Sequence, residues 1–160
     1  MDKRKQKKFD KPVGILMPLL MYRWRIIFPN ESEENGKLIA MQATKLSIDY
    51  STRELCVTIR QDLYSMTLHK IFERMMKVPV NHITGKRLLK GNSQAILIEY
   101  LDGSNDKATA VLELDCSPKN HIFELNYENG GDVAEHNLVF AINTIVEYEN
   151  IEITKEKEKA

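Results

Sequence analysis

Four histidines, two cysteines and a set of glutamates on alternating apolar runs are the side chains here whose chemistry could make a site. Their spacing argues against one. An enzyme needs a nucleophile beside a base, carboxylates paired in a cleft, or metal ligands at short spacing. His82, His121 and His136 are separated in the chain, so a zinc site is not expected. His69 falls beside the apolar stripe of a predicted helix and reads as a surface or interface histidine. An enzyme built on His69 or His82 with nearby carboxylates would lack the rest of its constellation. Cys56 and Cys116 each sit inside an alternating apolar run and read as two buried, reduced thiols. The Gly130-Gly131 pair and the Gly85 to Gly91 segment lack the Lys-Ser/Thr ending of a phosphate loop and read as turns. Glu99, Glu113 and Glu124 recur at outward positions of successive predicted strands as a candidate acidic sheet face, with an ordinary solvated face as the plainer reading. No catalytic residue, cofactor or metal ligand is expected, and the chain is not expected to be an enzyme.

What the sequence offers instead is charge placed for contact. The 23 Lys and Arg residues balance 23 Asp and Glu residues, which argues against a broadly basic face for nucleic acid. The balance hides segregation. Residues 1–11 form a basic arm with Lys3, Arg4, Lys5, Lys7, Lys8 and Lys11, and residues 151–160 form a charged tail. Tyr22 and Trp24 share the parity of Ile26 and Phe28, so the period-two pattern places them on a buried face and turns Arg23 and Arg25 outward. The candidate interface is accordingly Lys3, Arg4, Lys5, Lys7, Lys8, Arg23, Arg25, His69 and Arg74. Pro12 to Tyr22 superficially copies a secretory signal, but prolines interrupt it and no small-residue cleavage site follows. Nothing else approaches the ~20 apolar residues of a membrane span, so no membrane insertion is expected.

These residues need a mainly β frame. A chain of this length, 42% apolar, suits one domain, read as residues 12–150. Met21 to Phe28 alternates as a strand that Pro29 ends. The polar Asn30 to Gly36 and the apolar Leu38 to Gln42 predict a hairpin, and the runs around Leu46–Tyr50 and Leu55–Ile59 predict another. From Ser65 the period changes. Leu68, Ile71, Phe72, Met75 and Met76 mark the only helix expected, about 65–77, capped by Ser65 or Thr67 and ended by Val78-Pro79. Asn81 to Asn92 reads as irregular, with Lys86, Arg87 and Lys90 as a basic patch. Strands follow over 95–101, 108–114 and 121–127, broken at Ser117 to Asn120, and a long last run over 135–148 reads as a half-buried strand with an exposed continuation. The expected fold class is mainly β: an antiparallel sandwich or barrel of about eight strands with one inserted helix.

The order of elements resembles the tail-tube family of contractile-tailed bacteriophages, whose fold is shared with the ring-forming tube protein of type VI secretion systems. LCVTIRQDLYSMTLHKIFERM (Leu55 to Met75) is similar to that family's strand, turn and helix, and KATAVLELDCSPKNHIFELNYENGGDVAEHNLVFAINTIVEYE, from Lys107, to its final strands. The resemblance spans Pro12 to Asn150 and is one of pattern and length. It implies a structural virion protein that forms a homohexameric ring, its inner strands joined around a channel and its helix facing sheath or neighbours. It further implies rings that either stack into a tube or form its end, tail sheath or baseplate proteins as partners, DNA only as passing cargo, no cofactor, and a place in the virion tail after assembly in the host cytoplasm. The family's long hairpin is missing: the excursions Pro29 to Lys37 and Tyr50 to Arg53 are short, which leaves room for a baseplate or tube-end component. The alternative reading is a binding module whose basic arm contacts nucleic acid or an acidic partner, with affinity falling steeply in salt.

Overall fold

A computed structural model describes residues 18–77, 83–85, 93–102 and 107–149. The basic arm, the patch at Lys86, Arg87 and Lys90, the Val78-Pro79 helix stop and the charged tail lie outside the described residues. Six strands form one sheet: β1 (Trp24–Ile27), β2 (Ala43–Asp49), β3 (Glu54–Arg60), β4 (Gln94–Leu101), β5 (Ala108–Phe123) and β6 (Glu135–Glu149). Their spatial order is β1-β4-β5-β6-β3-β2, every neighbouring pair is antiparallel, and the sheet curls into a half-barrel. The helices α1 (Glu33–Gln42) and α2 (Thr67–Met76) complete it.

Alternation puts one face of each strand into a single core: Ile26, Leu55, Val57, Ile59, Ile96, Ile98, Leu114, Leu138 and Phe140 are each at most 2% exposed. Helix α2 adds Leu68, Ile71, Phe72 and Met75, the i, i+3, i+4, i+7 stripe that its sequence predicts. The mainly β, antiparallel expectation therefore stands, and several details beneath it are corrected.

The Asn30 to Gln42 hairpin is instead α1. The Ser32 hydroxyl accepts from the Asn35 N–H at 3.2 Å, Glu33 and Glu34 occupy the first turn, where the helix dipole favours them, and Glu33 pairs with Lys37 one turn on. Ser32 with two following acids was the start signal, masked by Asn35 and Gly36. The predicted break at Ser117 to Asn120 is also absent, since β5 runs through it for 16 residues. Register shifts at Asp115/Cys116 and Pro118/Asn120 take up the irregularity: Pro118 keeps Phe140 as its partner, and the bulge falls at Lys119 directly after it. Among the described residues six strands result, where about eight were expected. At α2, neither Ser65 nor Thr67 caps the start. Met66 holds the cap position without a side-chain bond, and the Asp62 carboxylate accepts from the Tyr64 and Ser65 N–H groups and the Ser65 hydroxyl at 2.7–2.9 Å. Those bonds, the Ser65 hydroxyl first, hold the Asp62 carboxyl below its usual value.

The first strand is shorter than its alternation. Tyr22 lies in the turn before it, 73% exposed, and Trp24 is half-buried, its indole N–H donating to the Met21 carbonyl at 2.9 Å. Only Ile26 and Phe28 follow the buried parity through. Of the two thiols, Cys116 is buried, which pushes its pKa up to about 12, whereas Cys56 is exposed on β3.

Candidate assembly interface

Three features position the contact-forming side chains: an open sheet face, two unpaired edges and two chain-reversal ends. The open face is the side away from the core, and cross-strand polar pairs run over it. Arg25 of β1 donates to Glu99 of β4 at 2.6 Å, Thr58 of β3 to Asn137 of β6 at 3.0 Å, and the Tyr148 hydroxyl of β6 to Glu113 of β5 at 2.9 Å. That last bond keeps the Tyr148 proton on, raising its pKa. Lys119 pairs with Glu54, an interaction that lowers the Glu54 pKa. Two ion pairs, Arg25–Glu99 and Lys119–Glu54, thus join neighbouring strands across this face.

The sequence-derived candidates scatter over these features. Arg23 folds back, its guanidinium donating to the Asp102 carbonyl at 2.7 and 3.1 Å, while Arg25 stays on the open face beside Glu99. Arg74 reaches from α2 to Glu31, whose carboxylate side chain is only 6% exposed. His69 turns from α2 toward β5 and β6, against Phe123 and His136. Glu99 and Glu113 share the open face as diagonal neighbours, since Leu97 faces Glu113 and Glu99 faces Val111. Glu124 lies past the end of β5, on the wall of a cavity of about 400 Å³ that Leu125, Asp132, Val133 and Glu135 also line. The structure brings two of the three glutamates together and separates the third. Lys3, Arg4, Lys5, Lys7 and Lys8 lie outside the described residues.

Sequence reasoning missed the edges and the ends. Among the described residues β1 and β2 each have one partner strand, so each presents a row of backbone groups that no described strand pairs. Exposed large apolar side chains gather at the two ends of the half-barrel. Leu63, Tyr64, Leu125 and Tyr127 sit where β3 and β5 finish, and Leu20, Met21, Tyr22 and Tyr50 where β3 and β4's partner β1 begin or β2 finishes. Each residue lies outside the strands and α-helices, so no strand or helix periodicity exposed it as part of a group. Among the described residues no group of three His, Cys, Asp or Glu is placed to hold a metal ion, and no helix is long and apolar enough to cross a membrane.

A curled antiparallel half-barrel with open edges and two short helices is a tail-tube-like fold. Solved structures share it at low identity. A chain of an extracellular contractile injection system, the PVC sheath-tube complex in its extended state, aligns with a TM-score of 0.51 at 8% identity, covering 91% of this chain and 97% of its own. A chain of the PVC sheath/tube terminator in the extended state aligns at 0.53 and 9% identity, covering 84% and 99%. No protein-family model matches the chain, and no characterised protein matches it in sequence.

Proposed function

We propose that this chain is a structural subunit of a contractile tail, a ring component that forms or caps the inner tube, without catalytic activity. The observation that carries the reading is the pair of open edges. Six antiparallel strands leave β1 and β2 pointing in opposite directions. Rotation about a ring axis preserves strand direction, so β1 of one copy meets β2 of the next in the antiparallel sense and every joint around the ring is alike. Closure removes the edges that would otherwise invite aggregation. The helix-free polar face then lines the channel, where paired charges let DNA pass as cargo without gripping it, and the apolar ends support contact with a stacked ring or a baseplate or sheath neighbour. The two solved chains support this setting through fold alone. In this reading residues 12–150 are the ring-forming domain, the basic arm 1–11 reaches an acidic surface of a neighbouring copy, and the particle is a virion tail assembled in the host cytoplasm.

The test is negative-stain microscopy and light scattering of the full chain across concentration and salt. Homohexameric rings are the expected result, and a monomer at every concentration overturns the proposal. Removal of residues 1–11 is expected to weaken assembly at low salt and to flatten its salt dependence. Unchanged assembly at low and moderate salt would show that the arm makes no such contact.

A further inference from the structure

Where α2 meets the ends of β5 and β6, the rings of three histidines and two phenylalanines pack together. His136 of β6, 0% exposed, is at the centre. Its ring stacks on Phe123 with centroids 4.6 Å apart, meets His69 edge-on at 4.6 Å and Phe72 at 5.0 Å, and lies 5.1 Å from His121. One hydrogen-bond line threads the cluster. Gln61 Nε2 donates to the carbonyls of Asp62 and Ser65, both at 2.8 Å, which turns its Oε1 toward His136 Nε2 at 2.7 Å. A carbonyl oxygen only accepts, so His136 Nε2 carries the hydrogen. Its Nδ1 is then the lone-pair nitrogen and accepts from His121 Nε2–H at 2.9 Å.

We propose that His121 and His136, with His69 of α2 packed against them, form an acid-sensitive latch, which holds α2 on β5 and β6 while the two hydrogen-bonded rings are neutral and releases it when they take up protons. The line tolerates one added proton at most. A hydrogen on His136 Nδ1 requires His121 to move its own hydrogen to the far nitrogen, and a second proton sets N–H against N–H between two cations. No acid compensates. The Asp62 carboxylate is turned to Ser65, Glu135 bonds the Thr44 hydroxyl, and Lys70, Glu73 and Glu124 are exposed. Gln61 is neutral, and among the described residues no carboxylate pairs with any of the three rings. Burial first, then the neighbouring imidazoles, hold the His136 pKa down to about 4 and the His121 pKa below its ordinary value.

The released state, with an ordinary histidine pKa near 6.5, therefore binds protons more tightly than the latched one. Latching is at full strength above about pH 6.5 and is lost as the pH falls toward about 4. Between pH 7 and pH 5 the His136 shift alone corresponds to a roughly twentyfold fall in the latched-to-released ratio, and from pH 7.5 to a roughly thirtyfold one.

The experiment reads hydrogen-exchange protection of residues 67–76 against residues 55–59 from pH 7.5 to 5, with histidine tautomers from nitrogen NMR, in the wild-type chain, His121→Gln and His69→Gln. Expected are Nε2–H tautomers of both His121 and His136 at pH 7.5, and a roughly thirtyfold loss of protection confined to 67–76 on acidification. Each variant, by removing a neighbouring imidazole, should make that loss smaller. Should His121→Gln not fold, the half-buried position of His69 keeps His69→Gln informative. An Nδ1–H tautomer at His136, protection of 67–76 that does not change with pH, or variants that follow the wild-type profile would each overturn the latch. None of these outcomes depends on ring assembly.

Discussion

Replacing Phe140 with alanine is expected to destabilise the fold by about 3–5 kcal/mol, the range for deleting a buried phenyl ring from a core that cannot close around the void. Phe140 lies on β6, the strand shared by β5 and β3. It faces Pro118 on one side and Leu55 on the other, is 0% exposed, and its ring centroid stands 6.4 Å from that of Phe28. Bulged β5 on one flank and the packed β3 on the other leave little freedom for collapse. Leu46→Ala on the edge strand β2, where the side chain is only half-buried, is the comparison and should cost clearly less. Urea denaturation followed by circular dichroism gives both values. A Phe140→Ala cost below that of Leu46→Ala would mean the core is not centred on β6.

Proline scanning of β2 is expected to separate folding from assembly. In an antiparallel edge strand, successive residues point their N–H groups alternately to the inner partner and to solvent. Ser47 and Ile48 are adjacent, so one proline removes a bond to β3 and the other removes a donor from the open edge. The inward substitution should destabilise by about 1–3 kcal/mol, through the ladder bond lost and the carbonyl left unpaired, whereas the outward one should leave a folded chain that no longer forms rings. Light scattering beside circular dichroism distinguishes them. If every proline variant that folds still assembles, β2 is not a joint.

Much of the sheet was legible because strands with one buried face write alternation directly into the chain, as in Leu55–Val57–Ile59 and Leu138–Phe140–Ile142. The α2 stripe was legible for the same reason at period 3.6. α1 was not, because it buries only Ile39 and shows almost no stripe, so its helix rests on a cap and first-turn acids. Pro118 misled because the bulge directly after it shows only once register is known. The histidine cluster was illegible for a different reason. His69, His121 and His136 meet through the β5–β6 register and the docking of α2, contacts between segments with no shared local pattern. The candidate interface was partly legible: alternation turned Arg25 outward, but its ion pair with Glu99 depends on the β1–β4 register.

The shortness of β1, four residues, has a consequence for how any ring could grow. A joint limited by that edge offers only a few backbone hydrogen bonds, each worth about 0.5–1.5 kcal/mol net. Bringing two subunits together costs several times as much. An open dimer or trimer is then disfavoured, and only the last subunit, which forms two joints for one association cost, tips the balance. Growth of this kind shows a critical concentration, with free subunits and closed rings populated on either side of it and open arcs scarce throughout.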